Sequence, residues 1–343
     1  MYLRRIFSVH NAVMLGAAMI AALIPLLLGN NQYNMVLATT VLLYAVLASA
    51  WNIIGGMAGQ LDLAVGAFVG VGAFTSGTLL IRWDVTPWIG MPLGGLVAAG
   101  VAVLIGFPMF RFKIKEVWYA MVSIALVEVM RVLFLMWAEV GGPTERYLPI
   151  DTWSWYHLRF NTYMPYYYIL LVMLVIVLLV NRWIRNTKLG YSLLALGEDE
   201  DAVEVLGVDV RAAKLKALMS YAFIAGAVGG LYANIYGFIH PTIFSIDMSV
   251  EVMILGIVGG LGITYGPVTA AIVLVLIREY LRSNLGGEFA GLYLIVYAVV
   301  LILVALYQPR GLVPLFNKGW ERLKSYLEAR QRERGIPTSI ESK

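Results

Sequence analysis

Long apolar stretches alternate with short polar segments along almost the whole chain. Apolar spans lie near residues 12–29, 35–54, 61–81, 88–110, 117–138, 164–183, 214–238, 249–264, 265–281 and 288–307. A helix of about 20 apolar residues crosses a bilayer, and the sequence lacks the alternation typical of membrane strands. The spans at 61–81 and 249–264 are rich in glycine, so we expect them to be broken or re-entrant. The pattern predicts an all-α polytopic membrane protein with about eight to ten transmembrane helices.

The composition agrees with this pattern and excludes several other classes of protein. Of the 343 residues, 60% are hydrophobic and 13% are charged, whereas a soluble domain is about half apolar and a quarter charged. The chain has no cysteine and three isolated histidines, so we expect no disulfide bond, no thiol chemistry and no metal site. It contains no metalloprotease motif, serine elbow or paired catalytic carboxylates, so we expect no catalytic residues.

The distribution of basic residues predicts the orientation of the chain. Nineteen of the 25 lysines and arginines lie in the N-terminal segment, in 111–116, in 182–216 and after residue 309. Basic loops favour the cytoplasmic side, so both termini are predicted to be cytoplasmic and residues 139–163 extracytoplasmic. The net charge of +4 thus reflects membrane topology rather than nucleic-acid binding.

The chain is expected to form one transmembrane domain over residues 1–315. Its first span resembles a signal peptide, but the many later spans favour an uncleaved first helix. The remaining residues, 316–343, are expected to form a cytoplasmic tail. This tail begins as an amphipathic helix, either on the membrane surface or solvated, and is disordered after Gly335.

An acidic stretch, GEDEDAVEVLGVDVRAAK at 197–214, interrupts the apolar pattern on the predicted cytoplasmic side. Residues 198–206 favour a helix, with acids in its first turn and Gly207 in position to end it. Spacings of three and four would give this helix a small apolar face of Ala202, Val203 and Leu206. Such a short helix needs a partner or the membrane surface; the alternative is a solvated loop. No P-loop motif occurs, so any ATP that drives the protein is bound by another chain.

Polar side chains occur inside glycine-rich apolar stretches, where charge is costly. Gln60 and Asp62 lie in the stretch Gly55–Phe74, and Glu251 lies in Ser245–Leu281. We take these three residues as candidates for a substrate pathway; the alternative for Asp62 is a helix cap at the membrane interface. Two such stretches indicate pseudosymmetric halves with a site between them.

Two further charged pairs are close in sequence. Glu128 and Arg131 lie three residues apart on one helical face, which predicts a structural pair inside the helix bundle. A gating role for this pair is the alternative. Arg278 and Glu279 are expected near the outer end of their span, paired locally.

Five motifs, in the same order along the chain, resemble the permease family of branched-chain amino acid ABC importers, of the LivM type. They are GQLDL at 59–63 followed by AF at 67–68 and GAF at 72–74, EVMR at 128–131 followed by VGGP at 140–143, GEDEDAVEVLG at 197–207, SVE at 249–251 followed by VGGLG at 258–262 and GP at 266–267, and QPRGL at 308–312. The resemblance covers residues 35–315. The chain departs from the family at Ala64 and Val65, where glycine and then an aromatic residue or histidine are common. It also departs at 144–146, where small residues are usual.

The resemblance implies an importer in the cell membrane. Its core would contain this chain, a second permease as heterodimer partner, two ATPase subunits and an extracytoplasmic binding protein. ATP and Mg would be bound by the ATPases, so this chain would need no cofactor and would not be an enzyme. Branched-chain or other amino acids are the expected substrates. The run LDLAVG at 61–66 also resembles sugar permeases, so a permease for urea, amides or sugars is an alternative. An ion-coupled secondary transporter that uses Asp62, Glu128 or Glu251 is another.

ABC importer permeases also carry an EAA---G signature on the cytoplasmic helix that docks on the ATPase. Asp201, Ala202 and Val203 followed by Gly207 resemble this signature. The resemblance therefore implies a coupling region over residues 184–213. The residues that it assigns to ATPase coupling are Glu200, Asp201, Ala202, Leu206 and Gly207.

Overall fold

The computed structural model describes residues 16, 19, 21–26, 31–114, 116–149, 154–285, 295–299 and 302. Most of the spans predicted at 12–29 and 288–307 lies outside the described residues. The tail at 316–343 and the motif at 308–312 lie wholly outside them.

The described chain is almost entirely helical. Its helices are α1 (Gln32–Trp51), which a π-helix (Asn52–Met57) continues, α2 (Val65–Trp83), α3 (Pro87–Arg111), α4 (Glu116–Met136), α5 (Met164–Arg185), α6 (Lys188–Glu198), α7 (Glu200–Val205), α8 (Val210–Tyr236), α9 (Ile246–Gly259) and α10 (Gly266–Leu285). Short 3-10 turns lie at Ala138–Val140 and Pro241–Ile243, and strands β1 (Arg146–Tyr147) and β2 (Phe238–Ile239) pair antiparallel.

Seven described segments are long and apolar enough to cross a membrane. They are Gln32–Met57, Val65–Trp83, Pro87–Arg111, Val117–Met136, Met164–Arg185, Val210–Tyr236 and Pro241–Gly259. Helix α10 has a similar length, 20 residues, but carries Arg278, Glu279 and Arg282. The prediction of an all-α polytopic membrane protein is confirmed.

Contacts between connecting segments define two ends of the helix bundle. At the first, which we call the basic end, the Arg185 guanidinium donates to the carbonyl of Gly262 (2.6 Å) and Lys113 pairs with Glu204 (2.7 Å). At the second, which we call the aromatic end, exposed tryptophans and tyrosines surround the loops 84–86, 137–149 and 154–163. There the Trp88 indole donates to the carbonyl of Trp155 (2.9 Å).

Two irregular segments enter the bundle from opposite ends. Residues 58–64 lead from the basic end to the start of α2, and residues 240–245 lead from β2 at the aromatic end to the start of α9. The two helix starts touch, because the Gly66 N–H donates to the Ser249 hydroxyl oxygen (2.8 Å). From this contact α2 and α9 run towards opposite ends. The expected breaks in the glycine-rich stretches thus lie before α2, before α9 and at 260–265, and the two helices themselves are continuous. A repeat relationship between two halves stays a prediction.

The tightest packing in the described chain joins α2, α3 and α8 through small residues. A Cβ atom placed on Gly72 of α2 would lie 1.9 Å from the carbonyl oxygen of Gly226 on α8. Gly94 of α3 also lies close to this contact, since a Cβ atom there would be 2.8 Å from the Gly72 oxygen. Small residues let helix backbones approach each other in a membrane, where apolar surface alone does not drive association. These glycines therefore fix the spacing of the three helices.

We expect Gly72→Ala to destabilise the protein, because even one methyl group forces α2 and α8 apart. Overpacking of this kind costs about 1–3 kcal/mol. The matched control is Gly100→Ala on α3, since nothing lies within 4 Å of a Cβ atom at that position. In detergent, Gly72→Ala should melt several degrees below the wild type and Gly100→Ala should not. Equal melting temperatures for the two variants would contradict the packing role of Gly72.

Candidate functional site

The acidic stretch contains one short helix, α7, between the end of α6 and the start of α8. The Asp199 side chain accepts hydrogen bonds from the backbone N–H groups of Asp201 and Ala202 (both 3.0 Å), which makes it the N-cap of α7. This cap separates α7 from α6, so the helix predicted over 198–206 is present at Glu200–Val205 with Asp199 and Leu206 as its caps, and Glu198 belongs to α6. Gly207 follows with φ +82°, the left-handed conformation expected of a residue that ends a helix.

Helix α6 was not predicted from the sequence. Its residues Leu193 and Leu196 are buried. Together with Leu189 they lie four and three residues apart, a helical spacing that indicates this helix in the sequence. The backbone of Gly197, near its end, contacts residues 57–59: a Cβ atom on Gly59 would lie 3.2 Å from the Gly197 Cα. The end of α6, next to α7, therefore rests directly on the irregular segment that leads to α2.

Two salt bridges fasten α7 to the basic end of the bundle. Glu200 pairs with Lys214 of α8 (2.6 Å), whose side chain is only 3% exposed, and Glu204 pairs with Lys113 after α3 (2.7 Å). The acids of this helix therefore bind within the chain, a role that the sequence did not reveal. An open cleft of about 450 Å³ lies between the end of α3, α7 and the start of α8.

The exposed side of α7 carries three apolar residues beside the acids Asp201 and Glu204. Val203 is buried beneath the helix, whereas Ala202, Val205 (87% exposed) and Leu206 (81% exposed) face away from the chain. The sequence placed Val203 and Leu206 on one face, and the structure corrects this: the helix ends at Val205, and Leu206 turns outward as its C-cap. An apolar, exposed surface on a firmly held helix is typical of a docking site.

Asp62 lies at the centre of the irregular segment and is fully buried. One carboxylate oxygen accepts from the Ala64 N–H (2.9 Å) and the Tyr221 hydroxyl (3.2 Å), and the other accepts from the Tyr119 hydroxyl (2.9 Å). Its own carbonyl accepts from the Trp51 indole (2.7 Å). Four elements, α1, α2, α4 and α8, therefore meet at this one residue.

The surroundings of Asp62 leave no room for a substrate in this conformation. The gap beside its side chain has a volume of about 10 Å³, which is about the minimum for a single water molecule. Gln60 is also buried, and its side-chain oxygen has no hydrogen-bond partner among the described residues. The N-cap of α2 is Ala64 and no side chain caps it, so the buried Asp62 does not act as the expected helix cap but holds the backbone just before α2. A pathway role for Gln60 and Asp62 stays a prediction.

Glu251 of α9 pairs with Arg278 of α10, and both side chains are nearly buried. The same guanidinium donates to Glu279 (2.8 Å) and lies 4.9 Å from the centre of the Tyr44 ring on α1. The expected local pair of Arg278 and Glu279 is present, but the stronger constraint is the bridge to Glu251. This cluster joins three helices, which favours a structural role for Glu251.

Glu128 and Arg131 form the predicted pair on α4, with 2.9 Å between Arg131 Nε and Glu128 Oε2. Their position differs from the expectation. The Glu128 and Arg131 side chains are 45% and 40% exposed, so the pair lies on the outer surface of the described chain and not inside its bundle.

Comparison with known proteins independently supports the resemblance to permeases of branched-chain amino acid importers. A family model described as "Branched-chain amino acid transport system / permease component" matches residues 34–305. The high-affinity branched-chain amino acid transport system permease protein LivM of Escherichia coli (strain K12) is 31% identical over 303 residues, which cover 81% of this chain and 69% of the relative. Its Salmonella typhimurium counterpart is 30% identical with the same coverage.

The second type of permease in such systems is more distant. The high-affinity branched-chain amino acid transport system permease protein LivH of Escherichia coli (strain K12) is 21% identical over 285 residues, which cover 79% of this chain and 91% of the relative. No solved structure matches the chain significantly. Because the family model spans most of its length, the chain belongs to the family of permease components of branched-chain amino acid transport systems.

Proposed function

We propose that this chain is the membrane-spanning subunit of an ATP-driven importer for branched-chain amino acids. The observation that carries the proposal is α7. It is held to the bundle by two salt bridges, yet it presents Ala202, Val205 and Leu206 outward. A helix that is attached to the bundle and exposes apolar residues is suited to transmit a movement from a separate subunit. The chain has no P-loop, so that subunit supplies the ATP hydrolysis.

The proposed assembly follows from the same features. The basic end, which carries α7, is cytoplasmic by the positive-inside rule, and the aromatic end faces the binding protein. Two ATPase subunits dock at the cytoplasmic side, one of them on α7 with Glu200, Asp201, Ala202, Leu206 and Gly207 at or near the contact. A second permease completes the membrane part.

The ion-coupled alternative receives less support. Asp62 and Glu251 are buried with partners inside the chain, and Glu128, although half-exposed, lies beside the positive charge of Arg131, which disfavours a lone cation. A cation site needs a carboxylate that is available to its ion.

The experiment that tests the function is reconstitution of the chain with its partner subunits in proteoliposomes. Branched-chain amino acids should stimulate ATP hydrolysis in the presence of the binding protein, and urea, amides and sugars should not. Uptake should continue after the proton gradient is collapsed. If only urea or a sugar stimulates ATP hydrolysis, the proposed amino-acid substrate is wrong. If uptake requires the proton gradient, the proposed ATP-driven mechanism is wrong.

We expect a charged residue on the outward side of α7 to uncouple the transporter. Ala202→Arg or Leu206→Arg should lower leucine uptake at least tenfold while the membrane part keeps its melting temperature, because both side chains are exposed. Gly207→Pro should act similarly by changing the end of the helix. The control is Lys216→Ala, an exposed position on α8. Normal leucine uptake in Ala202→Arg and Leu206→Arg would contradict the proposed docking role of α7.

A second prediction concerns the attachment of α7. Lys214→Gln should leave Glu200 unpaired at a nearly buried position, where loss of one partner costs about 3 kcal/mol. Backbone amides of 200–206 should then exchange hydrogen faster, and uptake should fall. Lys216→Gln is the matched control, because it removes the same charge two residues away at an exposed position. If amide exchange in α7 is the same in both variants, the Lys214–Glu200 bridge does not hold the helix.

A further inference from the structure

The outer surface of α4 combines apolar exposure with a pair of charges. Tyr119, Ser123 and Phe134 attach the opposite side of this helix to the bundle: Tyr119 donates to Asp62, Ser123 accepts from the Leu63 N–H (3.0 Å), and Phe134 packs against Phe244. The exposed side carries Glu128 and Arg131 in one row with three further residues. These are Met121, Ala125 and Val132.

The charges lie deep in the span. Helix α4 is about 30 Å long at 1.5 Å per residue, and Glu128 lies about 18 Å from its start at the basic end. Charged side chains at this depth avoid lipid, and they face protein or a water-filled cavity. The half-exposed pair therefore marks a surface that lipid does not cover in the assembled protein.

A comparison with the other intramembrane pair shows that Glu128 and Arg131 do not hold the fold together. Glu251 and Arg278 are 13% and 16% exposed, belong to two helices and contact a third through Tyr44. Glu128 and Arg131 are 45% and 40% exposed and lie one turn apart on the same helix. Their pair links α4 to no other described element.

We propose that this row of α4 lines the translocation pathway and binds the charged groups of the transported amino acid. Glu128 binds the α-ammonium group and Arg131 binds the α-carboxylate. Val132, Ala125 and Met121 accommodate the aliphatic side chain. This inference rests on the proposed function and deepens it, since it names the residues that recognise the substrate.

The chemistry of the pair matches that of a zwitterion. An α-amino acid carries its two opposite charges on one carbon, so it can enter between Glu128 and Arg131 and give each a new partner. A guanidinium binds a carboxylate through two parallel hydrogen bonds. The surface is neutral when empty, because the residues pair with each other, and stays neutral when loaded. Neither state leaves an unpaired charge in the membrane.

The test uses the absence of cysteine from the chain. Ala125→Cys and Val132→Cys bracket the charged pair, and Leu96→Cys on α3 and Val172→Cys on α5 are controls at other exposed apolar positions. Each variant is assembled with its partner subunits and labelled in membranes with a small charged thiol reagent. Only variants that assemble with the partner subunits and still transport leucine are compared, so a negative result bears on this site and not on the proposed function.

We expect the reagent to label Ala125→Cys and Val132→Cys and not the two controls. Leucine should slow labelling at least fivefold, whereas 4-methylpentanoate, which lacks the ammonium group, and isopentylamine, which lacks the carboxylate, should not. No labelling at either position would overturn the proposal. Cross-linking of the two cysteine variants to the second permease would then show that this row is a subunit interface, and no cross-linking would show that it faces lipid. Labelling that leucine leaves unchanged would also overturn it.

Charge variants supply a second, independent readout. Glu128→Gln and Arg131→Gln should each raise the KM for leucine uptake at least tenfold without changing assembly or melting temperature. The exchanged pair Glu128→Arg/Arg131→Glu keeps a neutral ion pair but reverses the positions of the two charges, so uptake should stay low. Recovery of uptake in the exchanged pair would show a structural role. Glu251→Gln is the control for such a role, and we expect it to lower the melting temperature.

Discussion

An irregular backbone segment inside a membrane protein must have its polar groups satisfied within the protein, and in this chain Asp62 and Ser123 do so for Ala64 and Leu63 of the segment 58–64. The bilayer core offers no hydrogen bonds, so non-helical backbone at that depth survives only where protein or water replaces them. Asp62 accepts from the N–H of Ala64 and from two tyrosine hydroxyls, and its carbonyl accepts from Trp51. The Ser123 hydroxyl oxygen likewise accepts a hydrogen bond from the N–H of Leu63.

The position of this segment determines how distant parts of the chain contact one another. On one side Gly59 touches Gly197, at the end of α6, next to the exposed α7. On the other side Asp62 accepts a hydrogen bond from the hydroxyl of Tyr119, which belongs to α4. The proposed ATPase-docking helix and the proposed substrate-binding helix are therefore connected by a continuous series of contacts, with Asp62 in the middle. A displacement of α7 has a direct physical route to α4.

The long spans could be read from the sequence to within a few residues. Helices α3 and α5 begin within one residue of their predicted starts at 88 and 164, because apolar length alone defines such spans. The same signal does not determine where an irregular segment enters the bundle, and the breaks before α2 and α9 were located only approximately. Helix α6 was missed, although its leucines have helical spacing.

The partners of the charged residues were harder to predict than the helices. The hydrogen bond from Tyr221 to Asp62 joins residues 159 positions apart, and nothing local in the sequence marks either as a partner of the other. The pairing of Glu128 with Arg131 was predicted because both lie on one helix, yet its exposure depends on which side of α4 packs against α2 and α9. Sequence spacing identifies neighbours within an element, and tertiary packing decides which of them are buried.

The two intramembrane ion pairs show how burial separates two uses of the same chemistry. A closed pair such as Glu251 and Arg278 gains its stability from additional partners, here Glu279 and the ring of Tyr44, and it holds three helices together. The half-exposed pair Glu128 and Arg131 makes no such contact with another described residue, and in the proposed site it exchanges its internal partner for the charged groups of the substrate. In a permease for zwitterionic substrates, the second arrangement allows charged groups to be taken into the membrane and released again. The acids of α7 provide a third case, in which Glu200 and Glu204 hold the proposed docking helix on the bundle while Ala202, Val205 and Leu206 stay exposed.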